Sequence, residues 1–214
     1  MSKIISTTVY TLDELSATAR EQARAWYREH ALNDDWYQTV YDEFRDICNI
    51  LGVKIKMYMA PLPSSGHHQP PCIWFSGFCH QGDGACFEGD YVYQPQAVYR
   101  VREYAPEDTE LHRIADLLQA IQMNNGGQLR ATIRHRGQYV HENSMTILVE
   151  RHSPSGQEMT ADSEDILTEA VRDLAHWLYG WLESEYEWQS SDITTDDAIS
   201  AGEYTFTGSG QRFG

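Results

Sequence analysis

The 214-residue chain has no apolar run near the roughly eighteen residues that a membrane span needs. Its first residues, Met1 to Thr8, hold no apolar stretch of signal-peptide length, so neither export nor insertion is expected. Cysteine is scarce. Cys48, Cys72, Cys79 and Cys86 form no C-x-x-C pair, which argues against a zinc ribbon or redox motif and suits reduced thiols in a cytoplasm. Neither G-x-G-x-x-G nor G-x-x-x-x-G-K-[ST] occurs, so no dinucleotide or P-loop site is encoded locally. No repeat of solenoid period and no clear linker appear. Basic residues are also few. With 16 Lys and Arg against 32 Asp and Glu the net charge is −16, which argues against direct nucleic-acid binding through clustered cations.

What is present is enough for a core. Hydrophobic residues make up 41% and aromatics 12%, both above what disordered chains carry, and the length suffices without disulfides or metal. A single α+β domain over 1–214 is expected, with a helical pair over about 11–51, a sheet-rich middle over about 53–151, and an acidic helix with a small hairpin over about 162–214. Thr11 and Glu14 form a capping-box pattern ahead of Leu12, Leu15, Ala19, Ala23 and Trp26, so the first helix should run from Leu12 to His30. Asn33, Asp34 and Asp35 cap a second, carrying Trp36, Val40, Phe44, Ile47 and Leu51 up to Gly52. Alternation predicts strands over 53–58, Cys72–Phe78 and Ala85–Glu88, with a Pro, Ser, Gly and His loop from Pro61 to Pro71. The aromatic segment Tyr91–Tyr104 reads as mostly extended. Asp108 and Thr109 cap a third helix, and two alternating runs, from Leu129 and to Val149, pair around Gly137. The fourth helix runs from about Ser163 to Tyr186, followed by a helical turn near Asp196–Ala201 and a hairpin Tyr204–Phe213. Together these imply an antiparallel sheet of about four to six strands with helices on one face and a long acidic C-terminal helix.

Charge is unevenly placed. Between Glu158 and Glu203 thirteen acids face one base, Arg172, giving about −12 in that stretch. With the apolar stripe of the fourth helix buried, Glu164, Asp165, Glu169, Asp173, Glu183, Glu185 and Glu187 should form a solvent-facing ridge, with Asp192, Asp196 and Asp197 just beyond it. These ten are the candidate partner-binding residues. A ridge of this kind imitates, more sparsely, the charge lattice of a nucleic-acid duplex. The plain alternative is a solvated helix face that keeps the protein soluble.

Chemistry has three candidate locations. The glycine-rich run Phe75–Gly89 contains Gly82-Asp83-Gly84, where Asp83 with His80 or Glu88 could do acid–base work, although the same residues make a good hairpin turn. His135, His141 and Glu142, flanking the turn at Gly137, have the donor types of a zinc or ferrous site if they converge. Cys72, Cys79 and Cys86 recur every seven residues near His67, His68 and His80, but an odd spacing in strands alternates faces, so free thiols are expected. No cofactor is expected.

Several of these motifs carry a resemblance. Phe75-Ser76-Gly77-Phe78 with Gln81 to Ala85, His135-x-Gly137-x-Tyr139-x-His141, Tyr186-Glu187, and Glu203-Tyr204-x-Phe206 through Arg212-Phe213 resemble a group of phage and prophage proteins, some labelled antitoxins of toxin–antitoxin systems. The resemblance implies a mobile-element origin, action in the cytoplasm of a bacterial host, and a role in disabling host machinery. The leading expectation is an acidic inhibitor of a host nucleic-acid-handling defence complex, of anti-CRISPR or anti-restriction type, occupying its basic groove. The alternatives are a metal-dependent enzyme acting on a nucleotide or nucleic acid through Asp83, His135 and His141, and an antitoxin binding a partner toxin.

Overall fold

The computed structural model describes residues 6–33, 35–58 and 69–214. In chain order it contains α1 (Ala17–His30), α2 (Gln38–Leu51), β1 (Val53–Ile55), β2 (Ile73–Phe75), β3 (Ala85–Phe87) and β4 (Gly89–Val92). Then follow α3 (Ala97–Tyr104), α4 (Thr109–Asn124), β5 (Leu129–His135), β6 (Met145–Arg151), α5 (Ser163–Gln189) and α6 (Asp192–Ala201). The expected α+β class holds: a four-stranded antiparallel sheet in the order β1-β4-β5-β6, plus the two-stranded β2-β3 hairpin. Among the described residues no helix is long and apolar enough to cross a membrane. The Pro61–Pro71 loop lies outside the described residues up to position 68, as do His67, His68 and the expected cap residue Asp34.

Contacts gather into two compact units, residues 39–183 and residues 1–38 with 184–214. In the middle unit the sheet alternates. Val53, Ile55, Tyr91, Leu129, Ala131, Ile133 and Val149 are buried, while Lys54, Asp90, Val92, Arg130, Leu148 and Glu150 are exposed, so one face meets helices and the other meets solvent. The helices of this unit bury Phe44 and Ile47 of α2, Leu111, Ile114 and Leu118 of α4, and Leu167, Leu174 and Leu178 of α5. Each large apolar side chain so buried stabilises by roughly 1.5–3 kcal/mol. Gly52 ends α2 at φ +92, and a Cβ there would sit 2.0 Å from the Val92 carbonyl oxygen, so no other residue fits where the chain turns from α2 into β1.

Two buried amides tie elements together. Gln122 donates to the Leu129 carbonyl at 2.8 Å and accepts from its N–H at 3.0 Å, starting β5 where α4 ends. Asn125 donates to Ser163 Oγ at 3.0 Å and accepts from Thr160 N–H at 3.0 Å, anchoring the beginning of α5. Asp108 caps α4 by accepting from Leu111 N–H at 2.8 Å, and its other oxygen accepts from Trp177 Nε1 at 2.8 Å.

The other unit joins the two ends of the chain. Leu12, Leu15, Ala19, Ala23, Ile199 and Phe206 form its core, ringed by Tyr10, Trp26, Tyr27 and Tyr204. Tyr10 and Phe206 exchange backbone hydrogen bonds at 2.8 and 2.9 Å, so the small C-terminal turn pairs with the chain ahead of α1. The Arg212 guanidinium lies 5.0 Å from the Trp26 ring centre and 4.9 Å from that of Tyr204.

Some elements differ from the sequence reading. The first helix is broken: Glu14 accepts from Thr11 N–H at 2.8 Å, but this motif closes only a single 3-10 turn, Leu15 is extended, and Ser16 caps α1 anew. Tyr91–Tyr104 is not mostly extended. Strand β4 ends at Val92, and after Pro95 the spacing of buried Ala97 and Val101 builds α3. Helix α5 extends to Gln189, and α6 begins at Asp192 rather than near Asp196, because the Ser191 hydroxyl accepts from Thr194 N–H.

Candidate functional site

The β2–β3 loop folds around its own polar groups. Asp83 Oδ2 accepts from His80 N–H at 2.8 Å and Cys79 N–H at 3.0 Å, and these bonds, His80 first, hold its carboxyl below the usual range. Ser76 accepts from Gly84 N–H at 2.9 Å and donates to the Val140 carbonyl at 3.2 Å, which stitches the loop to the β5–β6 connection. At Gly84 the two segments meet. A Cβ there would lie 2.9 Å from His141 Cδ2, 3.0 Å from His141 Cα and 3.2 Å from Glu142 Oε2, so glycine is required by close approach.

The half-buried His141 and Glu142 side chains lie beside that contact, Nδ1 and Oε2 3.2 Å apart without a hydrogen bond between them. The same Nδ1 accepts from Asn143 N–H at 3.2 Å. Ser144 donates to the His141 carbonyl at 2.6 Å and lies 3.0 Å from His135 Nδ1, while the His135 ring packs 5.5 Å from Trp74. Behind them the Cys86 thiol is buried and pushed up to about 12 by desolvation. Tyr179 of α5 donates to the Gly77 carbonyl at 3.0 Å, closing the loop from the helix side.

The glycine-rich loop and the His141–Glu142 segment are thus neighbours, but the candidate side chains do not act together. Asp83 is turned into its own loop, His135 onto Trp74, and His141 toward Glu142. Among the described residues no three His, Cys, Asp or Glu side chains are placed to hold a metal ion. Cys48, Cys72 and Cys86 are buried and Cys79 is exposed, and all four thiols are free.

The candidate acids fall into two groups. Within residues 39–183, Glu169 pairs with Arg172 at 2.7 Å and Asp173 with Arg113 at 2.6 Å. Glu164 and Asp165 are exposed, Glu183 is half-buried, and none of the three has an ion pair among the described residues. Within the unit of the chain ends, Asp196 takes a bidentate grip from Arg24, both bonds 2.7 Å, which holds its carboxyl low. Asp192 bonds Arg24 at 2.6 Å and Arg28 at 2.5 Å. Glu185 accepts from Gln189, whereas exposed Glu187 and Asp197 have no ion pair among the described residues.

Counting charge along the sequence missed the arginines that answer it. Arg20, Arg24 and Arg28 recur every four residues on α1, a basic stripe legible as a partner for an acidic helix, of which Arg24 and Arg28 make the ion pairs.

A sequence profile of a family described as a domain of unknown function (DUF8835) matches residues 36–192. That span holds all of the middle unit and ends at the first residue of α6. No curated protein matches the chain. No solved structure matches it either.

Proposed function

The chain belongs to the DUF8835 family, whose description names no activity, and we propose, from the charge pattern and the resemblance of the loop motifs, an acidic binding protein of phage type that blocks a basic, nucleic-acid-handling groove in a host complex. The observation that carries this reading is the group Glu164, Asp165 and Glu183, which has no ion pair among the described residues while Glu169 and Asp173 are paired with arginine. Unpaired carboxylates on a rigid helix present charge at fixed spacing, and a Lys- and Arg-lined channel built for phosphate is complementary to it. Action in the host cytoplasm and an anti-CRISPR or anti-restriction target belong to the same proposal, supported by the phage resemblance of the loop motifs.

An enzyme working through Asp83, His135 and His141 has less support, because Asp83 and His135 are engaged in the loop's own packing. An antitoxin role differs only in the identity of the partner. The test is capture of bacterial lysate on the immobilised chain, with elution by duplex DNA. The expected result is a nucleic-acid-handling complex, displaced by DNA and by salt well above the physiological ~0.15 M. Retention of a single small toxin, or of a complex insensitive to DNA and salt, would contradict the groove-blocking role.

A further inference from the structure

The four-stranded sheet has two edges, and they are treated differently. Strand β1 is three residues long, and Lys54 and the following Lys56 stand on its solvent face. Short length and lysine are the usual guards against edge-to-edge pairing. Strand β6 has neither. It runs for seven residues, Met145-Thr-Ile-Leu-Val-Glu-Arg151, without proline or lysine.

The direction of its free groups follows from the register. His152 N–H donates to the Gln128 carbonyl, and pairing continues through Arg130↔Glu150, Thr132↔Leu148 and Arg134↔Thr146. Even-numbered residues of β6 therefore bond to β5, and the N–H and C=O groups of Ile147, Val149 and Arg151 point to the open edge. Among the described residues they meet no backbone partner, and Met145 N–H is already used by the Glu142 carbonyl. On the solvent face Leu148 is 55% exposed, the one large apolar side chain on this strand left open to water.

We propose that β6 pairs antiparallel with β6 of a second copy of this chain, about a two-fold axis at Leu148, joining the sheets into one. Leu148 is the midpoint of Met145–Arg151, so this axis overlaps the whole strand. Ile147 and Val149 exchange hydrogen bonds with Val149 and Ile147 of the other copy, with the half-buried Ile147 packing beside the buried Val149. On the open face Leu148 covers its own counterpart, and Glu150 stands opposite Thr146, so no like charges meet.

Two copies each carrying −16 repel, so this contact strengthens with salt, opposite to the partner binding proposed above. Sedimentation of the full chain should show monomer and dimer exchanging with a Kd on the order of 10–100 µM, tightening as NaCl is raised. Leu148→Lys, on the solvent face, should weaken dimerisation at least ~tenfold without loss of fold, and Ile147→Pro, which removes an edge N–H but also trims a half-buried side chain, should do the same in chains shown by denaturant unfolding to stay folded. In a Cys79→Ser background, Leu148→Cys should cross-link under mild oxidation, because a non-hydrogen-bonded pair places the two Cα atoms ~4.5 Å apart. Glu150→Cys in the same background should not. A chain that stays monomeric at ~100 µM and high salt, a dimer unaffected by both edge variants, or equal cross-linking at 148 and 150 would overturn the pairing.

Discussion

The same residue type serves opposite ends in the two units, gripped by arginine chiefly where the chain ends meet and left without an ion pair chiefly along the middle unit's helix. Where the chain ends meet, Asp192 and Asp196 are gripped by Arg24 and Arg28, and the carboxylates hold structure. In the middle unit the apolar core and the amides Gln122 and Asn125 hold the structure; Asp173 is paired with Arg113, but Glu164, Asp165 and Glu183 have no ion pair among the described residues, as is true of Glu187 and Asp197 in the other unit. Net charge alone does not distinguish these roles. What separates them is whether an arginine from a remote segment arrives within hydrogen-bonding distance.

The largest test of this contrast is Phe206→Ala. Phe206 is fully buried against Trp26 and supplies much of a small core, so its truncation should cost ~3–5 kcal/mol and remove hydrogen-exchange protection from α1 and α6. Arg24→Ala comes next. The Arg24 side chain is 16% exposed and serves both Asp192 and Asp196, so its loss should cost about 2 kcal/mol, read as faster exchange in the same two helices.

Gly84→Ala tests the middle unit, forcing a methyl against His141 at a cost of ~1–3 kcal/mol, measured by denaturant unfolding. Acid distinguishes the units more gently. The folded Asp196 carboxyl is held below its ordinary value of 3.8, so its contribution is fully present above that value and is lost as pH falls through the lowered one. Protection factors in α6, taken against the intrinsic exchange rate at each pH, should therefore fall below about pH 4. The smallest effect belongs to the free acids: Glu164→Gln, Asp165→Gln and Glu183→Gln should each shift stability by no more than ~0.5 kcal/mol, with the first-turn positions Glu164 and Asp165 losing a small helix-dipole term.

Local signals in the sequence were good guides where the governing interaction was local. Asp108 capping α4 and Gly52 ending α2 act within a few residues and are where they were expected, and so is the apolar stripe of α5 except at Ile166, which is exposed. Helix α3 was hidden because Tyr91 and Tyr93 continue a strand-like alternation into Pro95, while only Ala97 and Val101 are buried behind it. The Arg24–Asp196 pair was hidden by 172 residues of separation. Likewise, nothing local announces that Gly84 is required by His141, since the contact joins two loops.

The most direct measurement compares retention of the captured host complex by three immobilised chains: the unaltered protein, Glu164→Gln/Asp165→Gln/Glu183→Gln, and Asp192→Asn/Asp196→Asn. The triple variant should lose at least ~tenfold in retention while unfolding like the parent. The double variant should keep its partner and lose protection in α1 and α6. Retention undiminished in the triple variant would contradict the claim that the unpaired carboxylates are the binding surface.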